Sequence, residues 1–276
     1  MNYRHGYHAG NFADVIKHVA LVAILQHLRK KDSAFAVIDT HAGRGLYDLR
    51  DSPSRATGEA EGGIARLAGL AAEGALETYL DLVSECGAQR YPGSPLIAAK
   101  LLRPQDRLTA IEKHPEEAAV LKDVLAPFHN ATTEAADGYV RLIRLLPPPS
   151  RRGLILIDPP FEATDEYEVM ARTLAAAVRK FATGIYEVWY PIKSQGAADA
   201  FIGEALAGGI AKALTVEIAL TPSSDRMTRA GLLVVNPPYG FTEQMQRAAM
   251  LLAPRLGGLA GGEPADIRVT WRAGSQ

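Results

Sequence analysis

The residues richest in chemical content follow an apolar run. Residues 153–157, Gly-Leu-Ile-Leu-Ile, lead into Asp158-Pro159-Pro160-Phe161. Two consecutive prolines fix two φ angles and remove two backbone donors, so the corner is stiff and rich in acceptors. It aims the Asp158 carboxylate and the Pro159 carbonyl beyond the strand end. Two fixed acceptors can grip both hydrogens of an exocyclic amine, and Phe161 offers a flat face for stacking a base. This is what methyl transfer to adenine N6 needs. The lone pair of that nitrogen is delocalised into the ring, which makes it a poor nucleophile. Acceptors on its hydrogens favour the positive charge that develops. Holding nitrogen and methyl in line supplies most of the rest, and no metal is required.

A second copy, Asn236-Pro237-Pro238-Tyr239, also follows an apolar run, residues 231–235. Topology separates the two. Ten residues divide 214–220 from 231–235, too few for a helical crossover, so these two runs are expected to pair antiparallel. Asn236 then leaves the sheet at the edge opposite the first glycine-rich turn, and Asp158 is the catalytic candidate.

Other strand ends carry candidates too. Asp39-Thr40-His41-Ala42-Gly43-Arg44-Gly45 follows the strand 35–38, and its small residues let the backbone turn sharply and approach a ligand closely. It is not GxGxxG, so a dinucleotide fingerprint is absent. Glu112 ends the strand 109–111, where a carboxylate can hold both ribose hydroxyls of a nucleoside, or simply be an exposed strand-end acid. Asp137-Gly138 offers an acceptor for an adenine amino group, or is an ordinary Asp-Gly turn. Tyr91-Pro92-Gly93-Ser94-Pro95 reads as a helix start, with Ser94 as cap and Pro95 at the first helical position. Five of seven histidines lie in the first 41 residues, two of them in Tyr3-Arg4-His5-Gly6-Tyr7-His8. With Lys17 and His18 on the following helix, they suit a phosphate-rich ligand. For His8 and His27 a solvated tail or a satisfied core position fits as well. No His-Glu pair stands at metalloprotease spacing and Cys86 is the one cysteine, so neither a metal site nor a disulfide is expected.

Positioning these residues takes an open doubly wound α/β sheet. The runs 35–38, 109–111, 153–157 and 185–190 are short and apolar, as parallel strands buried on both faces are. Helical stretches at 116–125, 167–181 and 197–206 alternate with them. A helix near 242–252 and a strand at 267–271 close the chain. From Gly45 to the strand near Leu108 exceeds 60 residues, far beyond a βα loop. Helix 96–102 is read as the true crossover, and residues 49–90 as an inserted helical subdomain, either a substrate clamp or a solvated decoration. At 276 residues with 47% hydrophobic residues the chain is one large domain with an insert, and not a disordered one. A net charge of -1 excludes non-specific coating of nucleic acid, so any such contact is local. No membrane span or signal peptide is read, and a cytoplasmic protein is expected.

Taken in order, these landmarks resemble the bacterial large-subunit ribosomal RNA adenine-N6 methyltransferases of the J type. The resemblance runs nearly end to end, through Tyr3-Arg4-His5, His8-Ala9-Gly10-Asn11, Ala13-Asp14-Val15 with Lys17-His18, Asp39-Thr40-His41-Ala42-Gly43, Tyr91-Pro92-Gly93-Ser94-Pro95-Leu96-Ile97-Ala98, Ala136-Asp137-Gly138, residues 151–160 ending in Asp158-Pro159-Pro160, and Trp189-Tyr190-Pro191. It implies a class I methyltransferase fold with a small helical insert, using S-adenosylmethionine and acting as a monomer on 23S ribosomal RNA. It implies that Asp158 is catalytic, with Pro159 and Phe161 beside it. His18, His41, Gly43, Ser94, Glu112, Asp137 and Gly138 would contact the cofactor. Tyr3, His5 and Lys17, in an N-terminal segment 1–18, would cover it and help place the target adenosine. Phe161 stands where the family usually has Tyr, so stacking survives while a hydroxyl hydrogen bond is lost. The loop Ser223-Ser224-Asp225-Arg226-Met227 also matches the family. A near-neutral enzyme that must release its product suits a flipped or unpaired adenosine on RNA not yet covered by ribosomal proteins. A DNA adenine-N6 methyltransferase shares the chemistry and differs in substrate. A non-catalytic RNA-binding assembly protein would keep the pocket without the reaction. A nicotinamide oxidoreductase lacks its fingerprint here.

Overall fold

The computed structural model describes residues 8–50, 59–221, 227–257 and 263–275. Tyr3, His5 and residues 223–226 lie outside them. The chain runs α1 (Phe12–Arg29), β1 (Ala36–Asp39), β2 (Leu46–Asp48), α2 (Gly74–Glu85), β3 (Arg90–Pro92), α3 (Ser94–Leu101), β4 (Arg107–Glu112) and α4 (Pro115–Leu125). It continues through β5 (Ala131–Ala135), α5 (Gly138–Leu145), β6 (Gly153–Ile157), α6 (Glu166–Lys180), β7 (Ile185–Pro191), α7 (Gln195–Ala207), β8 (Ala213–Ala219), β9 (Arg229–Val235), α8 (Phe241–Leu256) and β10 (Asp266–Ala273).

Eight strands form one sheet in the order β10-β8-β9-β7-β6-β1-β4-β5. The β1, β4, β5, β6 and β7 pairings are parallel. β9 runs antiparallel to both β7 and β8, and β10 antiparallel to β8. The expected doubly wound sheet with an antiparallel C-terminal part is therefore present. Side chains alternate across it, as the pleat requires. Val37, Leu154, Leu156, Leu232 and Val234 face the side of α1, α3, α4 and α8, and α2 packs on α1 outside them. Ile38, Ile155, Ile157, Tyr186, Val188 and Leu233 face α5, α6 and α7.

Helix α1 is buried almost all round. Asn11 caps it by accepting from the Asp14 N–H (2.9 Å). A helix so thoroughly covered reads as apolar throughout, and its few charges must find partners. None of the described helices is long and apolar enough to cross a membrane.

The segment 49–90 is closed at its base by β2 and β3, which pair antiparallel with Tyr47 opposite Tyr91. Leu76, Tyr79 and Leu82 of α2 belong to the same core cluster as α1. The crossover from β1 to β4 is α3, as the spacing predicts. Its start differs from the expectation. Gly93 is the cap, Ser94 is the first helical residue, and Pro95 the second. The Ser94 hydroxyl donates instead to Asp39 Oδ2 (2.7 Å), because a buried carboxylate is the stronger acceptor within reach.

Burial predicts where the fold is sensitive. Leu25 in α1 is fully buried, whereas Val140 on α5 is 57% exposed. Leu25→Ala is expected to lower stability by ~2–5 kcal/mol and Val140→Ala by less than ~0.5 kcal/mol. Equilibrium urea unfolding measures both, and equal effects would contradict the packing described.

Candidate active site

Parallel strands end at one edge of the sheet, and their acids meet there. Lys17, His18, His41, Gly43, Ser94, Glu112 and Asp158 line one cleft of about 690 Å³. Both Glu112 oxygens are oriented by the backbone. The Gly43 N–H donates to Oε2 (2.9 Å) and the His114 N–H to Oε1 (2.7 Å). Each oxygen retains room for a further donor, since a carboxylate accepts about four bonds. Gly43 has φ +60°, and a Cβ there would collide with the Tyr47 hydroxyl, so the turn needs glycine.

Asp137 and Gly138 stand just behind this cleft. Asp137 Oδ1 caps α5 through the Val140 N–H (3.2 Å), and Oδ2 holds the Lys113 ammonium (2.8 Å). Lys113 itself lines the cleft. A Cβ on Gly138 would be driven into the Thr40 carbonyl oxygen, so this glycine lets α5 start against the β1 turn.

A second cleft, of about 880 Å³, is lined by His8, Asn11, Glu59, Phe161, Trp189 and Lys193. Lys17, Asp158 and Pro160 line both clefts. Pro159 is buried between them in sequence. Phe161 has φ +52°, an uncommon state for a bulky residue. Its ring is held edge-on by Tyr167 (4.9 Å) and Trp189 (5.6 Å). Asn236 lies elsewhere. Its amide donates to the carbonyls of Ala182 (2.8 Å) and Gly184 (2.7 Å), beside the start of β7. The antiparallel direction of β9 carries the second motif to the opposite edge, as expected.

The electrostatics centre on Lys17. Its ammonium reaches Asp158 Oδ2 (2.5 Å) and Asp14 Oδ1 (2.8 Å). Burial alone would push this ammonium down, but Asp14 and Asp158 more than offset it and hold its pKa well above the usual lysine range. Asp39 is fully buried. Burial raises its pKa to about 7, against the hydrogen bond from Ser94. His41 is lowered to about 4, chiefly by burial, and is neutral. Thr40 Oγ1 donates to the Leu156 carbonyl (2.8 Å), so it must accept from His41 Nδ1 (2.8 Å). That fixes the Nδ1–H tautomer and leaves Nε2 as an acceptor. His18 Nδ1 meets the Tyr91 hydroxyl (2.7 Å), which meets that of Tyr79 (3.0 Å). This chain ties a cleft residue to α2.

Several residues here escaped the sequence reading as parts of the site. Asp14 orients Lys17 and accepts from the Gly10 N–H (2.9 Å). Glu59 accepts from Asn11 Nδ2 (2.9 Å) and bonds His8 Nδ1 (2.8 Å). Glu187 is buried on β7 beneath Lys17. The available signal was an acid inside an otherwise apolar helix or strand. Among the described residues no group of three or more His, Cys, Asp or Glu could hold a metal ion.

The sheet order and the acid-Pro-Pro corner at its carboxyl edge define a methyltransferase of the class I fold. The family model described as "RsmJ: Ribosomal RNA large subunit methyltransferase D, RlmJ" matches residues 32–273. The chain belongs to that family. It is 43% identical over 265 residues to ribosomal RNA large subunit methyltransferase J of Escherichia coli (strain K12), covering 93% of this chain and 94% of the relative. The protein of the same description from Haemophilus influenzae is 37% identical, with the same coverage. Among solved structures, protein LPL1258 from Legionella pneumophila superposes with a TM-score of 0.88 at 33% identity, covering 98% of this chain and 99% of that one.

Asp39 yields a pH prediction. Its folded pKa is about 7, against ~3.9 for an unfolded aspartate. A raised value means that the stabilising contribution is complete below pH ~4 and is lost as pH rises through about 7. Asp39→Asn lacks this titration and can still accept from Ser94. The stability of the variant relative to wild type is expected to grow by up to ~1.4 kcal/mol per pH unit between pH 4 and 7, then level off. Urea unfolding at pH 5, 6, 7 and 8 measures this, and a pH-independent difference would refute it.

Proposed function

We propose that this protein methylates the exocyclic N6 amine of a specific adenosine in 23S ribosomal RNA, with S-adenosylmethionine as donor. The observation that carries the reading is Asp158, one carboxylate shared by two clefts. One cleft has an anchored acid and a glycine turn. The other has aromatic walls.

The first cleft fits the cofactor. Glu112 would take the ribose hydroxyls on the lone pairs that Gly43 and His114 leave open. His41, as the Nδ1–H tautomer, presents an acceptor, and Lys113 and Asp137 close the adenine side. His18 and Ser94 line the remainder. The bound cofactor supplies a methyl carbon on a positively charged sulfur, which departs as a neutral thioether. Asp158 and the Pro159 carbonyl accept from the two N6 hydrogens, so that the nitrogen lone pair points at that carbon. Lys17 fixes the orientation of Asp158 through one oxygen and leaves the other free to accept. The N6–carbon bond forms as the carbon–sulfur bond breaks. The extra proton on N6 leaves to solvent, guided by Asp158.

Phe161 would stack the flipped base, Trp189 would wall the cleft beside it, and Lys193 would meet a neighbouring phosphate. Tyr3 and His5 would cover both ligands. The segment 49–90 touches the base cleft through Glu59, which supports its reading as a clamp on RNA. The enzyme is proposed to work as a monomer in the cytoplasm, on RNA not yet covered by ribosomal proteins.

Methyl incorporation from labelled cofactor tests this. Naked 23S RNA is expected to be a substrate, and duplex DNA and assembled subunits are not. Mass mapping of 23S RNA from a strain lacking the protein should reveal one missing methyl-adenosine. Asp158→Ala should still bind cofactor yet lose at least about a hundredfold in rate. Full activity of that variant, or preference for duplex DNA, would overturn the reading.

A further inference from the structure

One buried acid has no part in the chemistry above. Glu187 lies in the middle of β7 and is 2% exposed, and neither carboxylate oxygen has a hydrogen-bond partner among the described residues. Strand alternation turns Tyr186 and Val188 to one face, so Glu187 faces α1 with Trp189. There it lines a small cavity, with room for about one water, together with Lys17, Leu21, Ser94 and Asp158. Lys17, Ser94 and Asp158 also line the cofactor cleft, so the two spaces adjoin. Glu187 is thus a bare carboxyl at the floor of the reacting centre.

The charged groups around it are few. From α1 come Lys17 and Asp14, from the end of β6 Asp158, and from the end of β1 Asp39. Its sheet neighbours are Leu156 on β6 and Val234 on β9, which are apolar. Lys17 is already shared between Asp14 and Asp158. Burial, with Asp158 and Asp39 adding to it, pushes the Glu187 pKa well above the ordinary range despite Lys17. In the empty site Glu187 is therefore the neutral acid. Asp39 also titrates high, but it is hydrogen-bonded by Ser94 and by the His41 N–H (3.3 Å). Glu187 has no such bonds, so a new positive charge nearby changes its ionisation most.

We propose that Glu187 compensates the charge of the cofactor: it ionises when the cationic donor is taken up and is the acid again when the neutral thioether product remains. Uptake then releases the Glu187 carboxyl proton to solvent, and the reverse follows the transfer. The consequence is discrimination between donor and product by charge at a site that touches neither ribose nor base. This rests on the cofactor assignment proposed above.

Isothermal titration in buffers of different ionisation enthalpy counts the protons. With wild type at pH 7, S-adenosylmethionine and the cationic analogue sinefungin should each release up to about one proton more than S-adenosylhomocysteine does. Affinity for the two cations should rise with pH over the window between the loaded and empty pKa of Glu187. The isosteric E187Q should lose this difference, and its preference for cation over thioether should fall about tenfold if the charge displaces the Glu187 pKa by about two units. Asp39→Asn should retain the proton release. Wild type that binds both ligands with equal proton counts overturns the inference, and this arm needs no variant to fold. Loss of the release in Asp39→Asn and its persistence in E187Q would move the role to Asp39 and overturn it equally. Absence of binding by any of the three ligands would instead reject the cofactor assignment itself.

Discussion

The site depends on one ammonium. Lys17 projects from a helix buried on nearly every side, and its charge acts on four acids: Asp14, Asp39, Asp158 and Glu187. Burying a charge is unfavourable unless it is paired, and Lys17 is paired twice. One cation cannot balance four carboxylates in a medium of low polarity. Asp39 and Glu187 respond by holding their protons more tightly, while Asp14 and Asp158 take the two contacts with Lys17. The region is left short of positive charge, which suits a ligand that brings its own. The same contact fixes the conformation of Asp158, because Lys17 is anchored to α1 and α1 is anchored to the sheet.

Anchoring extends outward from there. Asn11 caps α1 and also reaches Glu59 within the insert, while the Gly10 carbonyl accepts from the Ile64 N–H (2.8 Å). Farther along the helix, His18 joins Tyr91 and Tyr79. The inserted segment is therefore attached to the helix that carries Lys17 at two levels. Movement of the insert would be felt at α1, and through Lys17 at Asp158. Chain positions 17, 94, 112 and 158 come together because strand ends and helix starts of a doubly wound sheet converge on one edge, and Glu187 lies one layer below them within β7.

Much of this was legible in the chain, for identifiable reasons. Buried parallel strands are short apolar runs, and the Pro and Gly residues between them mark the turns. β7 was found this way even though Glu187 interrupts its pattern, and the interruption was the clue that went unread. The pair β2–β3 was missed because each strand has three residues, too few to show a period. Ser94 was read as a cap because a serine before a proline has that local geometry. Asp39, 55 residues away, competes for its hydroxyl, and no local rule contains that competitor. Asp14 and Glu59 were invisible as site residues for the same reason. Their roles are defined by partners from other elements.

The two acid- or amide-Pro-Pro-aromatic corners show how backbone state, rather than motif, assigns chemistry. In both, one residue occupies the left-handed region, but not the same one. At the Asp158 corner it is Phe161, φ +52°; at the other it is Asn236 itself, φ +53°. Asparagine accepts that conformation readily, and its amide is then spent on two backbone carbonyls. Its aromatic, Tyr239, is 81% exposed. A phenylalanine in the same region stores ~1–3 kcal/mol, which persists only where the surroundings hold it. Tyr167 and Trp189 hold it here, and the Tyr167 hydroxyl is itself tied to the Pro191 carbonyl. Strain falls on the aromatic at one corner and on the polar residue at the other. Only the first leaves its acid available to a ligand and its ring fixed beside that acid.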